Sequence, residues 1–179
     1  MTRTSIGLVM LLVFGVAVAG QTPPPMPKPG AEHQRLGAFV GNWTSTGEMK
    51  PGPMGPGGKM TGSDRIQWLP GNFAIERRFE GKGPMGTMSG LEVIAYDTAK
   101  KAYTYSYVDS TGAVGGGTAT PSGSAWTFAG SGSMGGKTMQ ERCTLTFGAG
   151  NSTLKIACEV SGDGKSFAPM YEGTATKAK

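Results

Sequence analysis

A chain of 179 residues with 31 glycines, two cysteines and one histidine has the length of a single packed domain. Its formal charge of +5 comes from lysines and arginines scattered singly, with no run longer than Arg77-Arg78 or Lys100-Lys101. The gathered basic face of a nucleic-acid binder is therefore not expected. One histidine excludes zinc sites built from several His and Cys ligands.

The first segment carries Arg3, an apolar run from Ile6 to Val18 and a small-residue Ala17-Val18-Ala19 site, the layout of a cleaved secretory signal over residues 1–19. The run falls short of the roughly 20 apolar residues that span a bilayer, so no stable membrane insertion is expected after cleavage; a retained anchor is the alternative. The expected location is exported, periplasmic or secreted. Residues 20–30 hold Pro23, Pro24, Pro25, Pro27 and Pro29 and read as an extended linker. The rest, 31–179, is expected to be the folded domain.

Ala31 to Val40 sets Leu36, Phe39 and Val40 at helical spacing, which predicts two turns of helix with one apolar edge. So short a helix needs tertiary support, and the open end of a barrel would supply it. From Trp43 the period becomes two. Strands are predicted at about 42–49, 59–69, 73–81, 87–97, 102–110, 113–120, 124–130, 138–147, 153–161 and 166–176, each bounded by turn residues. Ten short strands on hairpin-length links predict an all-β fold, an antiparallel up-and-down β-barrel with a short N-terminal helix at one end.

Register follows from pattern matching. Setting Cys143 against Cys158 places Leu145 opposite Ile156 and Phe147 opposite Leu154, with every apolar residue on one face. Pairing Val160 with Phe167 brings Cys158 near Pro169 and Ile156 near Tyr171. Phe128 can meet Met139 and Trp126 can meet Glu141, which puts Glu141 on the inner face near a mouth. Across Asp97 to Ala102, Tyr103, Tyr105 and Tyr107 align with Tyr96, Ile94 and Glu92. That tyrosine face, with Asp109, is the preferred inner one; the opposite face, with Leu91, Val93, Ala95 and Val108, is the alternative.

Several motifs lack the context that would give them chemistry. Gly81-Lys82-Gly83-Pro84-Met85-Gly86 has dinucleotide-fingerprint spacing but continues into a strand instead of a helix. Gly136-Lys137-Thr138 resembles the end of a phosphate loop, yet Ser131 stands where its first glycine belongs. His33 sits on the polar edge of the predicted helix, a surface position, and no Gly-x-Ser-x-Gly elbow occurs. Asn42-Trp43-Thr44 and Asn151-Ser152-Thr153 fit the glycosylation triplet, which acts only in a eukaryotic secretory pathway. In an oxidising compartment Cys143 and Cys158 are expected to form a disulfide, two buried thiols being the alternative.

Gly41-Asn42-Trp43 after a short helix resembles the Gly-x-Trp signature of lipocalins and related calycin barrels, where the tryptophan packs across the closed end. The segments Met26 to Gly30, Glu32 to Arg35, Gly41 to Thr44, Gly47 to Pro53, Trp68 to Gly71, Gly81 to Gly86, Tyr96-Asp97 and Val108 to Gly112 resemble an uncharacterised bacterial family, domain of unknown function 1579. That resemblance implies a lipocalin-like barrel in an exported protein and no established activity. The chain departs from two related patterns. The histidine near the C-terminus through which nitrobindin-like barrels hold haem is absent, and so is the last-strand arginine that lipocalins place over their tryptophan.

Together these readings favour a non-enzymatic barrel that binds a small apolar or aromatic molecule, with Arg77, Tyr105, Tyr107, Asp109, Trp126 and Glu141 as candidate ligand contacts. No catalytic residue, cofactor, metal or nucleic-acid partner is expected. The alternatives are an enzyme using Glu141 or Asp109 as acid or base beside Arg77, and Cu(I) binding by the loop methionines Met49, Met54, Met60, Met85 and Met88.

Overall fold

The computed structural model describes residues 26–52 and 55–178; the predicted signal segment, most of the linker, Pro53 and Met54 lie outside the described residues. A five-residue helix, α1 (Ala31–Arg35), runs into a single 3-10 turn (Leu36–Ala38). Ten strands follow: β1 (Gly41–Met49), β2 (Gly58–Trp68), β3 (Ala74–Gly83), β4 (Gly86–Asp97), β5 (Ala102–Asp109), β6 (Val114–Ser122), β7 (Ala125–Met134), β8 (Lys137–Phe147), β9 (Thr153–Ser161) and β10 (Ala168–Lys177). Each pairs antiparallel with its chain neighbours and β10 returns to β1, so the sheet closes as an up-and-down barrel. Closure leaves no strand edge unpaired, which is why a meander of short two-sided strands is stable in this form.

Alternation decides which residues enter the barrel. On β1 the inward positions Trp43, Ser45, Gly47 and Met49 alternate with exposed Asn42, Thr44, Thr46 and Glu48. On β5 the tyrosine face points inward: Tyr103 and Tyr105 are buried while Ser106 and Val108 face solvent. Leu91, Val93 and Ala95 accordingly lie on the outer wall. Tyr96 pairs with Tyr103, Ile94 with Tyr105 and Glu92 with Tyr107, as the pattern predicts.

One end is closed. Leu36 and Phe39 drop from the N-terminal turn onto Trp43, Trp126, Phe128, Phe147, Ile75 and Ile94. The rings of Phe39 and Trp126 meet edge to face at 5.1 Å, and those of Phe39 and Phe147 at 5.0 Å. Such pairs add about 1 kcal/mol each to the area they bury. Three hydrogen bonds tie the short helix and turn to the staves: Trp43 Nε1–H to Phe39 O at 2.8 Å, Tyr103 Oη–H to Glu32 O at 2.9 Å and Lys177 Nζ–H to Ala38 O at 3.0 Å. Gly41 pivots between turn and strand at φ +143°, where a side chain would also meet the Lys177 stem.

Four expectations are corrected. His33 is not on the surface: it is 5 % exposed, accepts the Gly30 N–H at Nδ1, and meets Phe73 and Tyr96 edge to face. The helix is shorter than predicted, so its third residue already faces the barrel rim.

In the β7–β8 hairpin Phe128 pairs with Cys143 and Trp126 with Leu145, leaving Gly130 opposite Glu141 and Gly132 opposite Met139. The hairpin closes over Gly135 and Gly136, both at positive φ, the requirement of a tight two-residue turn. Glycines read as loop therefore stay in the strand. Because the slip is four residues, an even number, the same side chains still face inward.

In β9–β10 Cys158 pairs with Tyr171 and Ile156 with Gly173, with an irregularity between Pro169 and Tyr171. Pro169 has no N–H for the ladder, and Asp163 holds the turn by accepting from Lys165 N, Ser166 N and Ser161 Oγ. Phe167 thus leaves the predicted inner face and lies under the Arg142 guanidinium, 4.5 Å from its ring centre. The β8–β9 register matches expectation, and Cys143 and Cys158 are disulfide-bonded.

Candidate functional site

Above the aromatic floor the barrel interior changes character. Asp64 on β2, Arg77 on β3 and Glu92 on β4 occupy inward positions on three adjacent strands; Glu92 stands directly opposite Arg77, and Asp64 lies diagonally from it, opposite Phe79. Arg77 donates from Nε and Nη2 to Asp64 Oδ1, each at 2.8 Å, and from Nη1 to Glu92 Oε2 at 3.0 Å. Burial alone would pull the arginine's pKa down; the two carboxylates reverse that and leave it raised.

A second group stands beside the first. Tyr105 Oη–H donates to Glu141 Oε1 at 3.0 Å and Tyr107 Oη–H to Glu141 Oε2 at 3.2 Å. Burial raises the pKa of Glu141 and the charge of Glu92 adds to it, while the two phenol hydrogen bonds pull the other way. Both tyrosines are raised in turn, by burial first and then by Glu141. Tyr171 on β10 is raised by burial and by Asp64, and lowered by a hydrogen bond with Ser45. The two groups thus form one polar belt that spans β1–β5, β8 and β10.

Glycines shape the wall around this belt. A Cβ at Gly130 would come within 2.7 Å of the Tyr105 hydroxyl, and one at Gly115 within 2.6 Å of Tyr107 Cζ. Gly132 would collide with the same Tyr107, Gly47 and Gly173 with Tyr171, and Gly90 with Phe79. At these positions the missing side chain leaves room for an aromatic ring. Higher still, Met60 and Met88 converge on Gly81 from either side, and Met139 shares the inner face.

The exposure gradient runs along the barrel axis. Inward side chains at the floor are almost fully buried, whereas the inward Arg77 retains 35 % of its side-chain exposure. Tyr107, Glu141, Tyr171, Met60, Met88 and Phe79 are half-buried. Solvent therefore reaches the belt from the end bounded by the loops after β1, β3, β5, β7 and β9.

Of the predicted contacts, Arg77, Tyr105, Tyr107 and Glu141 come together in the belt. Trp126 does not: it is 3 % exposed and locked between Phe39 and Tyr103 in the floor. Asp109 has another task, accepting from Thr111 N, Thr111 Oγ1 and Ala113 N to hold the β5–β6 turn. Of the two alternative acid-base groups, Glu141 therefore stands in the belt with Arg77, whereas Asp109 holds the turn and reaches the belt through its charge on Tyr107. Asp64, Glu92, Ser45 and Tyr171 complete the belt and were not among the predicted contacts. Asp64 shares its parity with Ile66 and Trp68, and Glu92 its register with Tyr107, so both signals were present in the alternation.

Of the loop methionines, Met49 is buried, Met60 and Met88 face inward, and Met85 is 56 % exposed with its thioether against Gly55. Both cysteines are bonded to each other and His33 lies at the closed end, so no thiolate or imidazole among the described residues joins these thioethers.

Lys177 supplies the cation that the missing last-strand arginine left open. Its Nζ lies 4.8 Å from the centre of the Trp43 ring, as it bonds the Ala38 carbonyl.

The family model described as "Protein of unknown function (DUF1579)" matches residues 28–177. The chain belongs to the DUF1579 family. No curated protein sequence matches it. Among solved structures, this DUF1579 barrel is similar to Rv2717c from M. tuberculosis, with TM-score 0.61 and 11 % identity over 84 % of this chain and 99 % of the other. It is also similar to the S-type phycobiliprotein lyase CPES from Guillardia theta, with TM-score 0.52 and 15 % identity over 83 % and 93 %. At such identities the likeness is one of fold, a lipocalin-like barrel.

Proposed function

We propose that this DUF1579 barrel binds a small, largely apolar or aromatic molecule in its lumen, without catalysis, and does so outside the reducing cytoplasm. The observation that carries the reading is the exposure gradient. Side chains that alternation turns inward are mostly half-buried toward one end and almost fully buried at the floor, so one end of the barrel is sealed and the other meets solvent. Aromatic and methionine walls with a few convergent polar groups are the usual lining of a ligand site. The bonded pair Cys143–Cys158 and the signal-like residues 1–19 support an exported protein.

Native mass spectrometry of the protein purified from its own host tests both parts. The expected result is a chain lacking residues 1–19 and two thiol hydrogens, with a small molecule retained, and a melting temperature raised by an apolar ligand. An empty barrel whose melting no member of an apolar panel shifts would overturn the binding reading. An unprocessed chain would overturn export.

A further inference from the structure

We infer that the lumen selects cations: its ligand carries an ammonium or similar positive head on an apolar body, and the head seats against Glu141. This rests on the binding reading above and adds the chemical class of the ligand. The first observation is the charge arrangement. Among the described residues, the charges turned into the barrel at the level of the belt are Asp64, Glu92 and Glu141 against the single cation Arg77. Arg77 is already engaged by Asp64 on one side and Glu92 on the other. Glu141 has two phenols as partners, and no lysine or arginine among the described residues pairs with it. Lys177 is committed to the floor. The chain as a whole is basic, at +5, so the negative lumen does not follow from an acidic protein.

The second observation is independent of formal charge. Around the belt stand Tyr107 and Tyr171, half-buried and each fitted over inward glycines, while the Phe79 ring already holds the Arg77 guanidinium 4.8 Å from its centre. Cation and ring thus already meet on this wall, and π faces attract cations, most strongly where water is scarce. Coulomb and quadrupole terms therefore select the same sign. A carboxylate head would meet uncompensated negative charge, a repulsive element of the kind that sets specificity.

Isothermal titration of the full chain at neutral pH with phenylbutylamine, phenylbutanol and phenylbutanoate, which share one apolar body, tests this. The expected order is ammonium tighter than alcohol by about tenfold or more, and carboxylate weakest. In Glu141→Gln the ammonium-to-alcohol ratio falls toward one, and in Glu141→Asp a preference for ammonium remains. Should Glu141→Gln not fold, the wild-type order decides, together with Tyr107→Phe, which keeps the ring and the carboxylate and must keep the order. An alcohol or carboxylate that binds as tightly as the ammonium overturns cation selectivity while the binding reading stands. An ammonium preference that survives Glu141→Gln overturns the assignment to Glu141. Absence of binding by all three overturns the inference, and an empty barrel in native mass spectrometry then removes the binding reading with it.

Discussion

Lys177 shows how one side chain can join three parts of the molecule. Its aliphatic stem covers Gly41, its ammonium lies over the Trp43 ring, and its proton goes to Ala38 O. Burial depresses its pKa, so the cation is partly desolvated and the ring contact gains strength. Lys177→Met keeps the stem and removes the charge. It is expected to destabilise the protein by about 1–2 kcal/mol through the lost cation–π contact and hydrogen bond, and Lys177→Arg is expected to be nearly neutral. Urea denaturation of the three proteins measures this, and an unchanged Lys177→Met midpoint would show that the floor holds without the cation.

Among the elements, the β8–β9 hairpin carries the only covalent link. Cys143 and Cys158 face each other across adjacent strands with Cα atoms 4.0 Å apart and a sequence separation of 15. The strands are registered already, so the bond acts mainly on the unfolded chain, where closing such a loop is worth roughly 3 kcal/mol. Reduction is therefore expected to lower stability by about that amount while leaving the fold's circular dichroism unchanged at room temperature. The comparison is urea denaturation with and without a phosphine reductant, with thiols counted by mass. Equal midpoints for the reduced and oxidised chains would refute the loop-closure account. The N-terminal turn works by the opposite logic: α1 is far too short to persist alone and is held by hydrogen bonds from β1, β5 and β10.

For the molecule as a whole, two carboxylates, one inside the barrel and one in an exposed turn, make stability depend on pH in opposite ways. Glu141 has its pKa raised, by burial first. The unfolded chain then loses this proton before the folded one, so stability falls as pH climbs from the ordinary value of 4.5 toward the folded value. Glu141→Gln has no such proton, and the stability of wild type relative to this variant is expected to decline over that window and then level off. Asp163 behaves in reverse: hydrogen bonds from Ser166 N and Lys165 N hold it down at about 2. Its contribution is complete above the ordinary value of 3.8 and is lost as pH falls toward 2. Urea denaturation of wild type and Glu141→Gln at steps between about pH 4 and 8 isolates the first effect. A difference that grows with pH would mean that the phenol hydrogen bonds outweigh burial.

What the sequence by itself determined is whatever depends on local backbone geometry. Side chains alternate along any strand, so the barrel class, the strand spans and the inner face of Cys143, Leu145, Ile156 and Cys158 could be read directly. Parity also carried Arg77, Tyr105, Tyr107 and Glu141 inward despite a four-residue slip in one hairpin. Closure decided the rest. Which carboxylates share Arg77, that Trp126 belongs to the floor, that His33 is buried, and that a lysine replaces an arginine over Trp43 all depend on how the staves are staggered around the ring. Those neighbours lie up to 139 residues apart in the chain, and no periodicity within a strand encodes what stands across the axis.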